Sequence, residues 1–246
     1  ARIDEVNGDL NAVVRVLADG ARTGADAADA AVAAGGPLGP FHGVPFTIKE
    51  NLDCTCSPTT QGVPAFAEAM PTVDSPVVER MKAAGAIPLA RTNLPELGLR
   101  ISTNNPLHGL TRNPWTPDLT AGGSSGGAAA ALAAGICTLA TGSDGGGSIR
   151  IPASFSGVFG IKPSQGRVPR YGGYGTPSAN HFSQSGPITR TVADSALLLQ
   201  VMAGHDPHAP VSSTEPVPDY LEGLDRLTEA PRIGVARDFF YERAEE

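Results

Sequence analysis

The sequence predicts an α/β fold, and three observations carry that prediction. A buried strand ending at Lys49 is followed by a helix from Pro76 and a second strand over Ile87–Ala90, the order of a parallel crossover unit, which is almost always right-handed. An alanine-rich helix over Ala128–Ala134 leads directly into a further apolar strand at Ile136–Ala140. The apolar fraction, 41% of 246 residues, is ample for a buried core.

Each element has a local reason. Ile3, Val6, Leu10, Val13, Val14 and Leu17 recur at three- and four-residue steps, so residues 2–19 read as one amphipathic helix, with a second helix at about 24–34. Gly35–Pro45 holds four glycines and three prolines, which end the helical pattern and lead into the apolar run Val44–Ile48, a buried strand closing at Lys49. Ser75 can cap the next helix, Pro76 suits its first position, Val77, Val78 and Met81 form its apolar stripe, and Gly85 stops it. The turn G-G-S-S-G-G opens the Ala128–Ala134 helix, and Gly135 stops it. Thr191 can cap a helix running through Leu197 to Met202, with Asp194 as its reciprocal partner and Gly204 as its stop. The proline-rich segment 205–218 reads as an irregular surface excursion, and Ile233–Ala236 as a last short strand.

Composition narrows the function. Lys+Arg 18 against Asp+Glu 25 leaves a net charge of −7, and aromatics are only 5%, so neither a polyanion-binding surface nor a base-stacking platform is expected; no nucleic-acid partner is called for. No apolar run approaches the roughly 18 residues of a membrane span, and Ala1–Asp9 lack the basic and apolar regions of a signal peptide. Cys54, Cys56 and Cys137 are too few for a disulfide framework, and C-T-C is too tight for the usual zinc spacings. These features together fit a cytoplasmic, reducing location with no membrane partner, and Cys137 reads as a small buried hydrophobe.

The chemistry lies in two polar turns, 122–127 and 142–150. One helix and one strand separate them, so they return to the same end of the sheet. Gly145, Gly146 and Gly147 immediately precede Ser148, and their backbone N–H groups can turn toward one point and hold an oxyanion. A serine there suits acyl transfer; the local pattern also allows Ser148 to do no more than cap a helix. His42, His108, His181, His205 and His208 are scattered, and none stands in a setting that marks a base. Lys49 ends a buried strand, where desolvation would lower its pKa until a neutral amine could accept a proton; it also reads as a strand-end lysine reaching water.

Taken jointly, G-V-P-F-T-I-K-E-N (43–51), G-G-S-S-G-G (122–127) and G-S-D-G-G-G-S-I-R-I-P-A-S-F-S-G-V-F-G-I-K-P (142–163) resemble the amidase signature family. R-T-N-L-P-E-L (91–97), T-R-N-P-W (111–115) and S-G-P-I-T-R-T-V-A-D (185–194) extend the likeness, which covers residues 36–206. The resemblance implies a mixed, mostly parallel central sheet with helices on both faces, in one domain spanning 1–246. Members of the family are much longer, so the sheet is expected to be incomplete at both ends.

Carried over residue by residue, the resemblance implies a Ser, cis-Ser, Lys triad. Ser148 is the implied nucleophile, Ser124 the bridge, and Lys49 the base drawing the proton through Ser124. The N–H groups of Gly145, Gly146, Gly147 and Ser148 are the implied oxyanion hole. Gly123 precedes the cis bond, Ser125 supports the network by hydrogen bonding, and Asp144 and Arg150 brace the nucleophile turn. The implied reaction is two-step amide hydrolysis of a small molecule with no metal and no cofactor, and the reading leaves room for a homodimer. By the same likeness Gly98–Asn104 and the loop Tyr171–Phe182 line the acyl pocket, where Tyr171, Tyr174 and Phe182 hint at an apolar or aromatic acyl group.

Three rival readings compete with this one. G-G-S-S-G also satisfies the nucleophile-elbow pattern, but that elbow needs a strand directly before it, and N-P-W-T-P-D-L-T-A makes a poor one. Within the family, the glutamine-hydrolysing component of a tRNA-dependent amidotransferase is the nearest competitor; such members carry Gln where this chain has Ile151, which favours a general amidase. From another class, a truncated fragment would be a structural or interaction module without turnover.

Overall fold

The apolar positions of residues 2–19 do not form a single helix. The computed structural model, which describes residues 1–171, 182–226 and 229–235, ends helix α1 (Arg2–Leu10) at Asn11, whose left-handed dihedrals (φ 51°, ψ 43°) turn the chain out. Asn7 Oδ1 accepts the N–H groups of Ala12 (3.0 Å) and Val13 (2.8 Å), offering the backbone an alternative to the helix. The β-branched V-V-R-V that follows is strand β1 (Val13–Val16), and helix α2 (Ala18–Ala33) begins earlier than expected.

Strand β2 (Pro45–Lys49), helix α3 (Pro76–Ala83) and strand β3 (Ile87–Thr92) form the expected crossover, with β2 and β3 parallel. Ser75 stands at the N-cap of α3, yet its hydroxyl makes no cap bond. A small hairpin unforeseen in the sequence, β4 (Asn104–Asn105) and β5 (Gly109–Leu110), precedes helix α4 (Gly126–Ala133). Strand β6 (Leu139–Asp144) starts later than expected because Ile136 completes the helix cap: Gly135 is left-handed (φ 72°), and the Ile136 N–H donates to the Ala131 carbonyl at 2.9 Å. Cys137 is buried, as expected. Helix α5 (Arg150–Ser156), strands β7 (Phe159–Gly160) and β8 (Gln184–Thr189), and helices α6 (Val192–Met202) and α7 (Tyr220–Leu224) follow. Thr191 caps α6 by accepting the Asp194 N–H. Ile233–Val235 form no strand, and Ala236 lies outside the described residues.

The main sheet has the order β1-β3-β2-β6-β8-β7. It is mixed, as expected, but parallel pairing is confined to β3-β2 and β2-β6; the three outer pairings are antiparallel, so parallel pairs are not the majority. Alternation along β2 sorts its side chains between two cores. Phe46 and Ile48 enter a cluster with Val78, Met81, Leu198 and Met202 of α3 and α6, while the opposite face meets a cluster built on α4. Helix α4 is nearly all glycine and alanine because it is buried on every side: Ala128–Leu132 are each 0% exposed. Lys49 is thereby carried to the C-terminal end of β2, into the interior rather than into water.

Cys54 and Cys56, which a reducing location would leave as thiols, are joined in a disulfide, their Cα atoms 5.1 Å apart. The chain turns tightly there because Asp74 Oδ1 accepts both the N–H and the hydroxyl of Thr55, at 2.7 and 2.9 Å. Among the described residues no helix is long and apolar enough to cross a membrane.

Candidate active site

Lys49 is fully buried, and its Nζ lies 2.7 Å from Ser124 Oγ, 3.0 Å from Ser143 Oγ and 3.3 Å from the Ser143 carbonyl. Burial is the main cause that pushes its pKa well below the lysine value; the positive charge of Arg170 adds to this, and Asp144 opposes it. Burial thus weakens the hold of this amine on its proton, while its Nζ donates to the Ser124 hydroxyl. Ser124 is 2% exposed and follows a cis peptide bond from Gly123. The two polar turns do meet: the Ser125 N–H donates to the Ser148 carbonyl (3.0 Å), and the Ser125 hydroxyl to the Ser143 carbonyl (3.3 Å). Ser125 is also the N-cap residue of α4, so the positive end of that helix faces the same turn.

Asp144 organises the second turn. Its Oδ1 accepts the Gly147 N–H (2.7 Å) and Arg150 Nη2 (3.0 Å), while Oδ2 accepts the N–H groups of Ile149 (3.1 Å) and Arg150 (3.3 Å) and Arg150 Nε (3.0 Å). Burial alone would raise this carboxyl, but the Arg150 guanidinium and the three backbone donors outweigh it and hold the pKa at about 2. One expectation changes as a result. The Gly147 N–H is spent on Asp144, so it is not a donor to a bound oxyanion; among the described residues, the N–H groups of Gly145, Gly146 and Ser148 have no acceptor. Gly147 matters through its conformation instead: at φ 119° a Cβ would lie 2.7 Å from Ile151 Cδ1.

Ser124, Gly145, Gly146 and Ser148 border one cavity of about 390 Å³. Ser148 is partly exposed there, and among the described residues its hydroxyl has no hydrogen-bond partner, Ser124 included. Of the stretch Gly98–Asn104 expected here, Gly98–Ile101 line the cavity and 102–104 do not; Phe182 lines it too. Tyr171 does not: it borders a separate cleft with Asp74, Glu79 and His208. Tyr174 and His181 lie outside the described residues. None of the described histidines reaches the cavity; His42 and His108, for example, bond the Ala28 carbonyl and the Thr60 hydroxyl.

Sequence reasoning missed three groups. The Ser143 hydroxyl accepts Lys49 Nζ and also Asn51 Nδ2, the latter at 2.9 Å; both residues fall inside quoted segments, where their proximity to Lys49 has no local signal. Glu50, next to Lys49, is buried and paired with buried Arg91 (3.3 Å), and it also accepts the Thr60 hydroxyl and N–H. Arg170, which borders the cavity, lies in a stretch that gives no hint of a role.

Known proteins share this sequence and architecture. A family model described as Amidase matches residues 1–246. The chain is 52% identical over 213 residues to an indoleacetamide hydrolase of Bradyrhizobium diazoefficiens, covering 85% of this chain and 41% of that one. It is 47% identical over 242 residues to a glutamyl-tRNA(Gln) amidotransferase component of a Synechococcus strain, covering 98% and 49%. Among solved structures, the native peptide amidase from Stenotrophomonas maltophilia superimposes with a TM-score of 0.85 at 35% identity, covering 91% of this chain and 47% of that one. The chain spans about half the length of the relatives it matches.

Proposed function

The chain belongs to the amidase family, and on that premise we propose that it carries the catalytic centre of an amidase, which hydrolyses the C–N bond of a small-molecule amide. The observation that carries this reading is a fully buried lysine amine, its pKa pushed well below the lysine value by burial, 2.7 Å from a serine hydroxyl on the wall of a cavity that a second serine also borders.

In the proposed mechanism Ser148 Oγ attacks the amide carbon while its proton passes to Ser124, whose own proton goes to Lys49 Nζ. The carbonyl oxygen becomes an oxyanion and accepts hydrogen bonds from the N–H groups of Gly145, Gly146 and Ser148. Lys49 returns the proton through Ser124 to the leaving nitrogen, the C–N bond breaks, and ammonia or an amine departs. Water then attacks the Ser148 ester, giving up its proton through Ser124 to Lys49; the acyl–Oγ bond breaks, the proton returns through Ser124 to Ser148 Oγ, and the carboxylic acid is released. Asp144 and Arg150 stay outside the chemistry and hold the turn in shape, so that the donors are already aimed when charge develops.

Glutamine hydrolysis within a tRNA-dependent amidotransferase is a second reading, supported by the 47% identity to a protein of that name. Ile151, an aliphatic side chain on the cavity wall, favours the general amidase. The test is ammonia or amine release from a panel of aliphatic and aryl amides, glutamine included, by the purified chain and by Ser148→Ala. We expect turnover by the former and a loss of more than about 10⁴-fold in the variant, with an unchanged circular dichroism spectrum. Near-normal activity in Ser148→Ala would remove the assignment; a folded wild-type chain inert on every amide would favour a structural module.

A further inference from the structure

Resting on the amidase reading, the cavity also speaks to which amides it takes. Arg170 borders it, and the Nη1 of its guanidinium is buried without a hydrogen-bond partner. Two other arginines have carboxylate partners: Arg150 pairs with Asp144, and Arg91 with Glu50 through Nε, although Nη1 and Nη2 of Arg91 are also buried without a partner. Arg170 has no carboxylate partner among the described residues. The lining as a whole shows the same bias. Arg100 and Arg170 border the cavity, and among the described residues not one Asp or Glu does, in a chain where acids outnumber Lys+Arg by 25 to 18.

A buried cation left unpaired is costly, and a protein relieves that cost with a partner or with a ligand. A guanidinium offers a planar fork matched to a carboxylate, and such a pair is both strong and directional. We propose that Arg170 is a specificity residue that binds an anionic group on the acyl side of the substrate, so that the preferred substrates are half-amides of small dicarboxylic acids. The amide end then sits at Ser148 and the carboxylate end at Arg170, with Arg100 adding attraction at the mouth.

The test uses the full chain and matched amides: succinamate and glutaramate against butyramide and pentanamide, which replace the carboxylate by an uncharged end. The wild type should show the higher kcat/KM on the half-amides. Arg170→Met should cut the ratio of anionic to neutral kcat/KM by about 10- to 100-fold, the range of a lost charge-assisted hydrogen bond, and Arg170→Lys should recover part of it. A role limited to keeping Lys49 neutral would instead lower both substrates equally and move the acid limb of the pH profile. Titration with succinate and glutarate gives a readout independent of turnover, and binding should be lost in Arg170→Met. Equal or better wild-type turnover of the neutral amides, or an unchanged ratio in the variant, overturns the proposal while leaving the amidase reading intact. Arg170-dependent dicarboxylate binding by a chain that hydrolyses no amide would uphold the anion site and sink the hydrolase.

Discussion

Asp144→Asn isolates what the nucleophile turn owes to a single ionised group. The wild-type carboxylate takes five hydrogen bonds, three from backbone N–H groups and two from Arg150, and its pKa is held at about 2 against an ordinary 3.8. At about 1.4 kcal/mol per pH unit this corresponds to roughly 2 kcal/mol of stability. The Arg150 side chain is 54% exposed, and solvent screening of that pair reduces the figure to about 1 kcal/mol. The folded pKa is depressed, so the contribution is complete above the unfolded value and is lost as pH falls through the folded one. Urea denaturation of wild type and variant should therefore give a constant gap of about 1 kcal/mol at pH 5–7, and the gap should narrow below about pH 4 toward pH 2. The asparagine also points an N–H₂ at backbone donors, so the turn carrying Ser148 loses its shape, and turnover should fall by more than the stability change alone would cause. A gap that persists unchanged to low pH, or no gap at neutrality, would refute the idea that charge holds this turn.

The same contacts make three further predictions. The proposed mechanism requires a neutral Lys49, whose folded pKa lies well below the lysine value of 10.5, so kcat/KM should rise with pH along a limb set far below 10.5; a limb near that value would show the amine is not the base. At Gly123 a Cβ would lie 2.8 Å from the Arg100 carbonyl oxygen and 2.9 Å from the Ile101 carbonyl carbon, both backbone, whereas at Gly146 it would meet nothing within 4 Å. Thermal unfolding should thus show Gly123→Ala destabilised by about 1–3 kcal/mol and Gly146→Ala within about 0.5 kcal/mol of wild type. Glu50→Gln strips the buried Arg91 of its carboxylate, and denaturation should register a loss of about 3–5 kcal/mol; a neutral result would mean that the pair contributes nothing once Thr60 remains.

What the sequence by itself determined is whatever depends on neighbours along the chain. The burial of V-P-F-T-I-K, the glycine run before Ser148, the Pro76 helix start and the Thr191 cap are all local, and a resemblance built on such segments was enough to single out Lys49, Ser124 and Ser148. Sequence pattern misled in two ways: nearby hydrogen bonds overrode periodicity where Asn7 and Asn11 broke a helix and the Gly135 cap drew Ile136 out of a strand, and distant pairing set antiparallel strands outside the parallel core. Only the tertiary structure brought Lys49 against Ser124, 75 positions apart, set Ser143 beside them, assigned the Gly147 N–H to Asp144, and left Arg170 facing the cavity without a counter-charge. The physical reason is common to all four. Side-chain type announces what a group can do, but burial and the distance to the next charge decide its protonation and its partners, and both are properties of packing.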